Sequence, residues 1–110
     1  MLAIDDDRLD DVFHALSNPT RRALLRILSS GPARVSELAK PFDASLNAIS
    51  KHLIVLERAG LIRREGDRRT SACVLNVEPL RSADAFFAFY RRFWRGKLDQ
   101  LAAYVEGETR

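Results

Sequence analysis

A single run, Val35 to Leu61 (VSELAKPFDASLNAISKHLIVLERAGL), leaves this chain few folds to choose from. It reads as two helices joined by a tight turn. Val35 to about Lys40 forms the short first helix, entered at Ser36 or just before it. Pro41 ends it, because proline lacks the N–H that the helical ladder needs. Phe42 then anchors the turn in the core. Ser45 restarts the chain as an N-cap, its hydroxyl accepting from an otherwise unpaired backbone N–H. From there Leu46, Ile49, Leu53 and Leu56 recur at three- and four-residue steps, one apolar stripe over about Ser45 to Ala59. Gly60 stops this helix, since glycine takes the left-handed cap without steric cost. On the other side of the first turns, Asn47, Ala48, Ser50 and Lys51 are small or polar. Two readings fit. One is an amphipathic core helix with a solvated face. The other is a helix whose small, hydrogen-bonding front lies close to base edges in a DNA major groove.

The residues that follow favour the second reading. Leu61 to Arg64 and Arg69 to Leu75 read as two strands, with Ala72 and Val74 on one face and Cys73 and Leu75 on the other. Gly66-Asp67 suits a tight turn between them. Arg63, Arg64, Arg68 and Arg69 ring the tip. A hairpin placed there, directly after a reading helix, is a wing whose arginines lie over phosphates or enter a minor groove. The plainer alternative is an exposed hairpin kept soluble by its charge. The net charge is only +3, but residues 45–70 hold six Arg or Lys against three Asp or Glu. Elsewhere the two signs nearly balance, so the excess sits on the reading helix and the wing.

The flanking segments read as helices. Residues 5–17 carry Asp5, Asp6 and Asp7 at the N-terminus, where the helix dipole favours negative charge, and an apolar face of Leu9, Val12, Phe13 and Leu16. His14 lies beside that face as a packed or surface residue. Asn18-Pro19 starts a second helix, a capping side chain followed by proline at the first position. It runs to Ser29 or Ser30 with Leu24, Ile27 and Leu28 inward and Arg21, Arg22 and Arg26 solvated, packing or phosphate contact being the lesser alternative, until Gly31-Pro32 ends it. Glu78-Pro79 opens a last helix, Leu80 to about Val105, ~39 Å long. Phe86, Phe87, Phe89, Tyr90, Phe93, Trp94, Leu98, Leu101, Tyr104 and Val105 give it more apolar surface than one inner face needs. Such a helix must be buried on more than one side. A two-fold dimer does this economically, and a hydrophobic pocket between two copies is the lesser alternative. Gly96, inside the run, marks a close helix approach or a bend.

Other function classes find little support. The lone Cys73 cannot form an internal disulfide, and one thiol is too few ligands for a tight metal site. No nucleophile, base and orienting group come together in sequence, and no glycine-rich phosphate loop is present, so no enzyme and no cofactor are expected. No apolar run approaches the ~20 residues that cross a bilayer, so no membrane association is expected. The acidic start lacks the order of a signal peptide, and the cytoplasm is the expected compartment.

The residues in these blocks resemble a known family. Leu16-Ser17-Asn18-Pro19-Thr20-Arg21-Arg22 resembles the LSxPTRR start of ArsR/SmtB-type winged helix-turn-helix repressors. Ser50-Lys51-His52-Leu53 and Leu56-Glu57-Arg58-Ala59-Gly60-Leu61-Ile62 resemble that family's SKHLxxLxxAGL recognition helix and exit. The match covers about Phe13 to Leu75. The resemblance implies a mostly α fold with a small β-hairpin, dimeric through the first and last helices, and a repressor that binds an inverted repeat. Metal-sensing members carry a Cys-x-Cys pair where this chain has Ala39 and Pro41. A second family site uses histidine from the last helix, and no histidine follows His52 here. The resemblance therefore extends to a metal-free subgroup, whose signal, a small molecule or a protein, is not given by the sequence.

The expectation is one domain over 1–110: helix-turn-helix at 35–60, wing at 61–76 and dimerisation helix at 80–105. Ser45, Asn47, Ala48 and Lys51 approach base edges, with Ser50 and His52 beside them, and Arg63, Arg64, Arg68 and Arg69 clamp the flanking backbone. Phe13, Phe86, Phe89, Tyr90, Phe93, Trp94, Leu98 and Leu101 form the dimer interface. The expected partners are double-stranded DNA and a second copy. The rival is a winged-helix protein-interaction module that does not bind DNA, against which the arginine excess argues.

Overall fold

Helix caps written into the sequence divide the chain, and the computed structural model, which describes residues 6–67 and 71–108, follows them. Helix α1 (Asp6–Leu16) is followed by α2 (Pro19–Leu28), α3 (Val35–Ala39) and α4 (Leu46–Arg58). Strands β1 (Ile62–Glu65) and β2 (Ala72–Leu75) form an antiparallel hairpin, and α5 (Leu80–Glu108) closes the chain. Asn18 caps α2, its Oδ1 accepting from the N–H groups of Thr20 at 2.8 Å and Arg21 at 3.1 Å. Ser45 caps α4, its hydroxyl accepting from the Ala48 N–H at 3.1 Å. Gly60 ends α4 at φ 77°. Its N–H donates to the Glu57 carbonyl and that of Leu61 to the Leu56 carbonyl, both at 2.9 Å, a glycine-based Schellman stop.

The main core gathers the end of α1 with α2, α3, α4 and the hairpin. Leu24, Leu28, Leu38, Ile49, Leu53, Leu56, Leu61, Ile62 and Cys73 are all buried there, and Phe42 packs against them from the α3–α4 turn. Leu46 does not join this stripe. It lies in the first turn of α4 and is 55% exposed. A smaller cluster of Leu9, Val12 and Ala83, flanked by Phe13 and Phe86, fastens α1 to the start of α5. Phe13 meets Phe86 and Phe87 edge-on, with centroids 5.6 and 5.8 Å apart.

The hairpin departs from its sequence reading in two ways. Glu65 pairs with Ala72, a register that a two-residue Gly66-Asp67 turn between the strands would not give. Cys73 is fully buried because its backbone also pairs with Ala33, in the connection between α2 and α3 (N–H to carbonyl 2.8 Å and 3.1 Å). That bridge fastens the root of the hairpin under the core.

Arg21 is the other correction. It is buried, the lesser of its two sequence readings, and not solvated. The last turn of α1 leaves carbonyls without helical partners. The Arg21 side chain donates from Nε to the Ala15 carbonyl at 2.7 Å and from Nη2 to the His14 carbonyl at 3.0 Å. Arg22 donates to the Leu16 carbonyl at 2.8 Å. The two arginines that follow Pro19 thus cap the preceding helix, where its dipole favours positive charge.

Helix α5 extends as one continuous helix through Gly96 to Glu108, ~43 Å long. Only its first turns rest on the rest of the chain. Phe89, Tyr90, Phe93, Trp94, Leu98, Leu101, Tyr104 and Val105 are exposed, Trp94 to 68%.

Candidate nucleic-acid interface

With Ile49, Leu53 and Leu56 turned into the core, the 100° step of a helix places Asn47, Lys51, Ile54 and Arg58 on the outer face of α4. Asn47 and Lys51 are exposed, and so is Ile54, at 41%. Ser50 lies on one flank of this face, and Ala48 and His52 on the other, all half-buried. Ser45 stands at the N-terminal rim, its hydroxyl already engaged by the Ala48 N–H. The front is short and polar where α4 begins, so a backbone-bounded groove can approach it closely. Ile54 was missed by the sequence reading, although its spacing from Asn47 and Lys51 marked it. An exposed aliphatic side chain there can meet a thymine methyl group.

His52 has a partner within the chain. Its Nδ1 lies 3.2 Å from Arg21 Nη1, which ties α4 to the Arg21 cap of α1.

The hairpin stands beside α4. Arg63 and Arg64 are neighbours on β1 and so point to opposite faces. Arg63 is exposed and pairs with Glu65 through both Nη2 (2.9 Å) and Nε (3.0 Å). Arg64 is partly buried, turned towards Glu57 of α4 at 3.9 Å. Both guanidiniums are thus shared with carboxylates that a phosphate would have to displace. Arg68 and Arg69 lie outside the described residues. Asn76, also unmarked by the sequence reading, locks the exit of the hairpin. Its Nδ2 donates to the Gly60 carbonyl at 2.9 Å and its backbone N–H to the Leu61 carbonyl at 2.8 Å.

Neither Ala39, at the end of α3, nor Pro41, in the following turn, offers a metal donor. Among the described residues no group of three His, Cys, Asp or Glu is placed to hold a metal ion, and no helix is long and apolar enough to cross a membrane. Burial pushes the Cys73 thiol above its ordinary value, Arg64 opposes this, and Glu57 adds to it.

Comparison with known proteins places this geometry among regulators. The sequence pattern of the "Helix-turn-helix domain" family matches residues 16–65. The chain is 37% identical over 101 residues to the HTH-type transcriptional regulator Rv2034 of Mycobacterium tuberculosis, covering 90% of each protein. It is 39% identical over 54 residues to the transcriptional repressor SdpR of Bacillus subtilis, covering 49% of this chain and 60% of SdpR. Among solved structures it is similar to the ArsR family transcriptional regulator RHA00566, with 44% identity and a TM-score of 0.73. That match covers 80% of this chain and 97% of the other.

Proposed function

The chain belongs to the ArsR-type family of winged helix-turn-helix, DNA-binding transcriptional regulators, and from that premise we propose that it is a homodimeric repressor gripping an inverted repeat. The observation that carries this reading is the division of α4. Ile49, Leu53 and Leu56 are buried, while Asn47 and Lys51 are exposed to solvent. In this reading Ser45, Asn47, Ala48, Ser50, Lys51 and His52 enter the major groove. Arg63, Arg64, Arg68 and Arg69 hold the flanking phosphates, with Arg63 and Arg64 exchanging Glu65 and Glu57 for them.

Two copies pair through α1 and α5. Phe13 and Phe86 form the base of the interface and Phe89, Tyr90, Phe93, Trp94, Leu98 and Leu101 its length. Two-fold pairing presents two reading helices ~34 Å apart, one turn of DNA. Occupancy of a promoter then blocks transcription. SdpR, which is named a repressor, shares 39% identity with this chain over the part aligned. An effector, small molecule or protein, would act by changing how the two copies sit against each other.

Selection of bound duplexes from a random pool tests the reading. A two-fold symmetric site is the expected result, and a pool that never enriches would refute it. On the selected site, Lys51→Ala is expected to weaken binding and shift sequence preference. Arg68→Ala is expected to weaken binding to all sequences alike and to flatten the salt dependence by about one ion. Gel shifts across a salt series distinguish the two.

A further inference from the structure

We propose that Arg21 is a positioning residue for the His52 ring on the reading helix, and that it makes His52 a dedicated hydrogen-bond donor to DNA. The inference rests on the DNA-binding reading of α4 and deepens it. Arg21 is 9% exposed, and its guanidinium is held at three points. Two are the His14 and Ala15 carbonyls at the end of α1, at 3.0 and 2.7 Å. The third is His52 Nδ1, at 3.2 Å and 31 residues away in sequence. The two carbonyls fix the plane of the guanidinium, and with it the direction of its remaining N–H towards α4.

A guanidinium has donors and no acceptor, so Nδ1 must accept. A neutral imidazole that accepts at Nδ1 carries its hydrogen on Nε2, and the partner of one ring nitrogen thereby sets the role of the other. Among the described residues no group hydrogen-bonds Nε2. Among the described residues no buried side-chain nitrogen or oxygen lacks a hydrogen-bond partner. An unpartnered Nε2 on this half-buried ring therefore reaches solvent. His52 itself lies on the flank of the face that carries Asn47 and Lys51. A donor-only group in that place suits a DNA acceptor, either a phosphate oxygen or guanine N7 or O6.

The two nitrogens of His52 can be tested separately. In His52→Asn the amide oxygen takes the place of Nδ1 and nothing replaces the Nε2 donor. In His52→Gln the amide nitrogen reaches towards the Nε2 position and the Arg21 partner is lost. With full-length protein and a duplex selected by the wild type, His52→Asn is expected to bind roughly tenfold more weakly, the scale of one hydrogen bond to a charged or base acceptor. His52→Gln is expected to retain most of the affinity. A uniform loss over all sequences assigns the acceptor to phosphate, and a changed preference assigns it to a base. Arg21→Met should also weaken binding, and the double variant with His52→Asn should be no weaker than His52→Asn alone, because Arg21 acts through the ring.

Nitrogen-15 NMR of the free wild type should show His52 protonated at Nε2, and Arg21→Lys, which retains a donor, should restore part of that population relative to Arg21→Met. Should Arg21→Met fail to fold, the two His52 variants and the wild-type spectrum still decide the matter. Hydrogen at Nδ1, additive losses in the double variant, or full affinity in His52→Asn would each overturn the inference while the DNA reading survives. A wild type that enriches no duplex would instead overturn that reading.

Discussion

Two residues show how narrowly single positions are constrained. Gly60 sits at φ 77°, and a Cβ added there would meet Pro79 Cγ at 3.3 Å. Gly60→Ala therefore brings a left-handed backbone penalty of about 1–2 kcal/mol together with a crowded neighbour. Urea unfolding should register the loss as a lower midpoint with an unchanged slope. Cys73 is sealed by its position between the hairpin and Ala33. Its folded state holds the thiol proton more tightly than the unfolded chain does. Below the ordinary value of 9.0 both states are protonated and stability does not depend on this group. As pH rises from there towards the elevated folded value, the unfolded chain ionises first and stability falls. The stability difference between wild type and Cys73→Ala should stay constant below that point and narrow above it. Thiol reagents should react with the native protein only as fast as it opens.

At the scale of elements, capping decides where helices begin and long-range partners decide how they are held. Ser45→Ala removes the acceptor for the Ala48 N–H and should lower stability by about 1 kcal/mol, with fraying confined to the first turn of α4, as amide hydrogen exchange would show. The caps at Asn18 and Ser45, the stop at Gly60 and the inward Ile49, Leu53 and Leu56 could all be read in sequence because each depends on residues within one or two turns. Leu46 broke the pattern because a stripe carried to the first turn of a helix runs past the edge of the core. Arg21 looked solvated for a different reason. Its partners are the end of another helix and a ring 31 residues on, and no local pattern encodes them. The Ala33–Cys73 bridge and the Asn76 lock were equally invisible, being backbone and side-chain pairings across separate turns. Of the candidate interface, the exposure of Asn47 and Lys51 on α4 was legible. The pairing of Arg63 with Glu65, and of Arg64 with Glu57, was not, because strand alternation sends those two arginines to opposite sides.

For the whole molecule, the governing feature is a mismatch between a small core and a long terminal helix. The main core holds the end of α1 through β2, while α5 joins it at Leu80 and meets α1 through Phe86 and Ala83. The aromatic residues beyond are left in water in one copy. Phe93→Glu with Trp94→Glu should therefore leave the monomer folded, since neither residue belongs to either core cluster. It should abolish pairing, which sedimentation would detect as a halved mass. On the selected duplex such a variant should show a single half-site affinity and a weaker salt slope, because one copy engages about half as many phosphates.

That bare rod also sets how the regulator would count itself. Where copies are scarce and mostly single, the concentration of the pair grows as the square of the chain's abundance, so a twofold rise in synthesis gives about a fourfold rise in the species that spans both half-sites. Promoter silencing would then arrive as a threshold in expression level, set by the greasiness of one helix outside the proposed reading face.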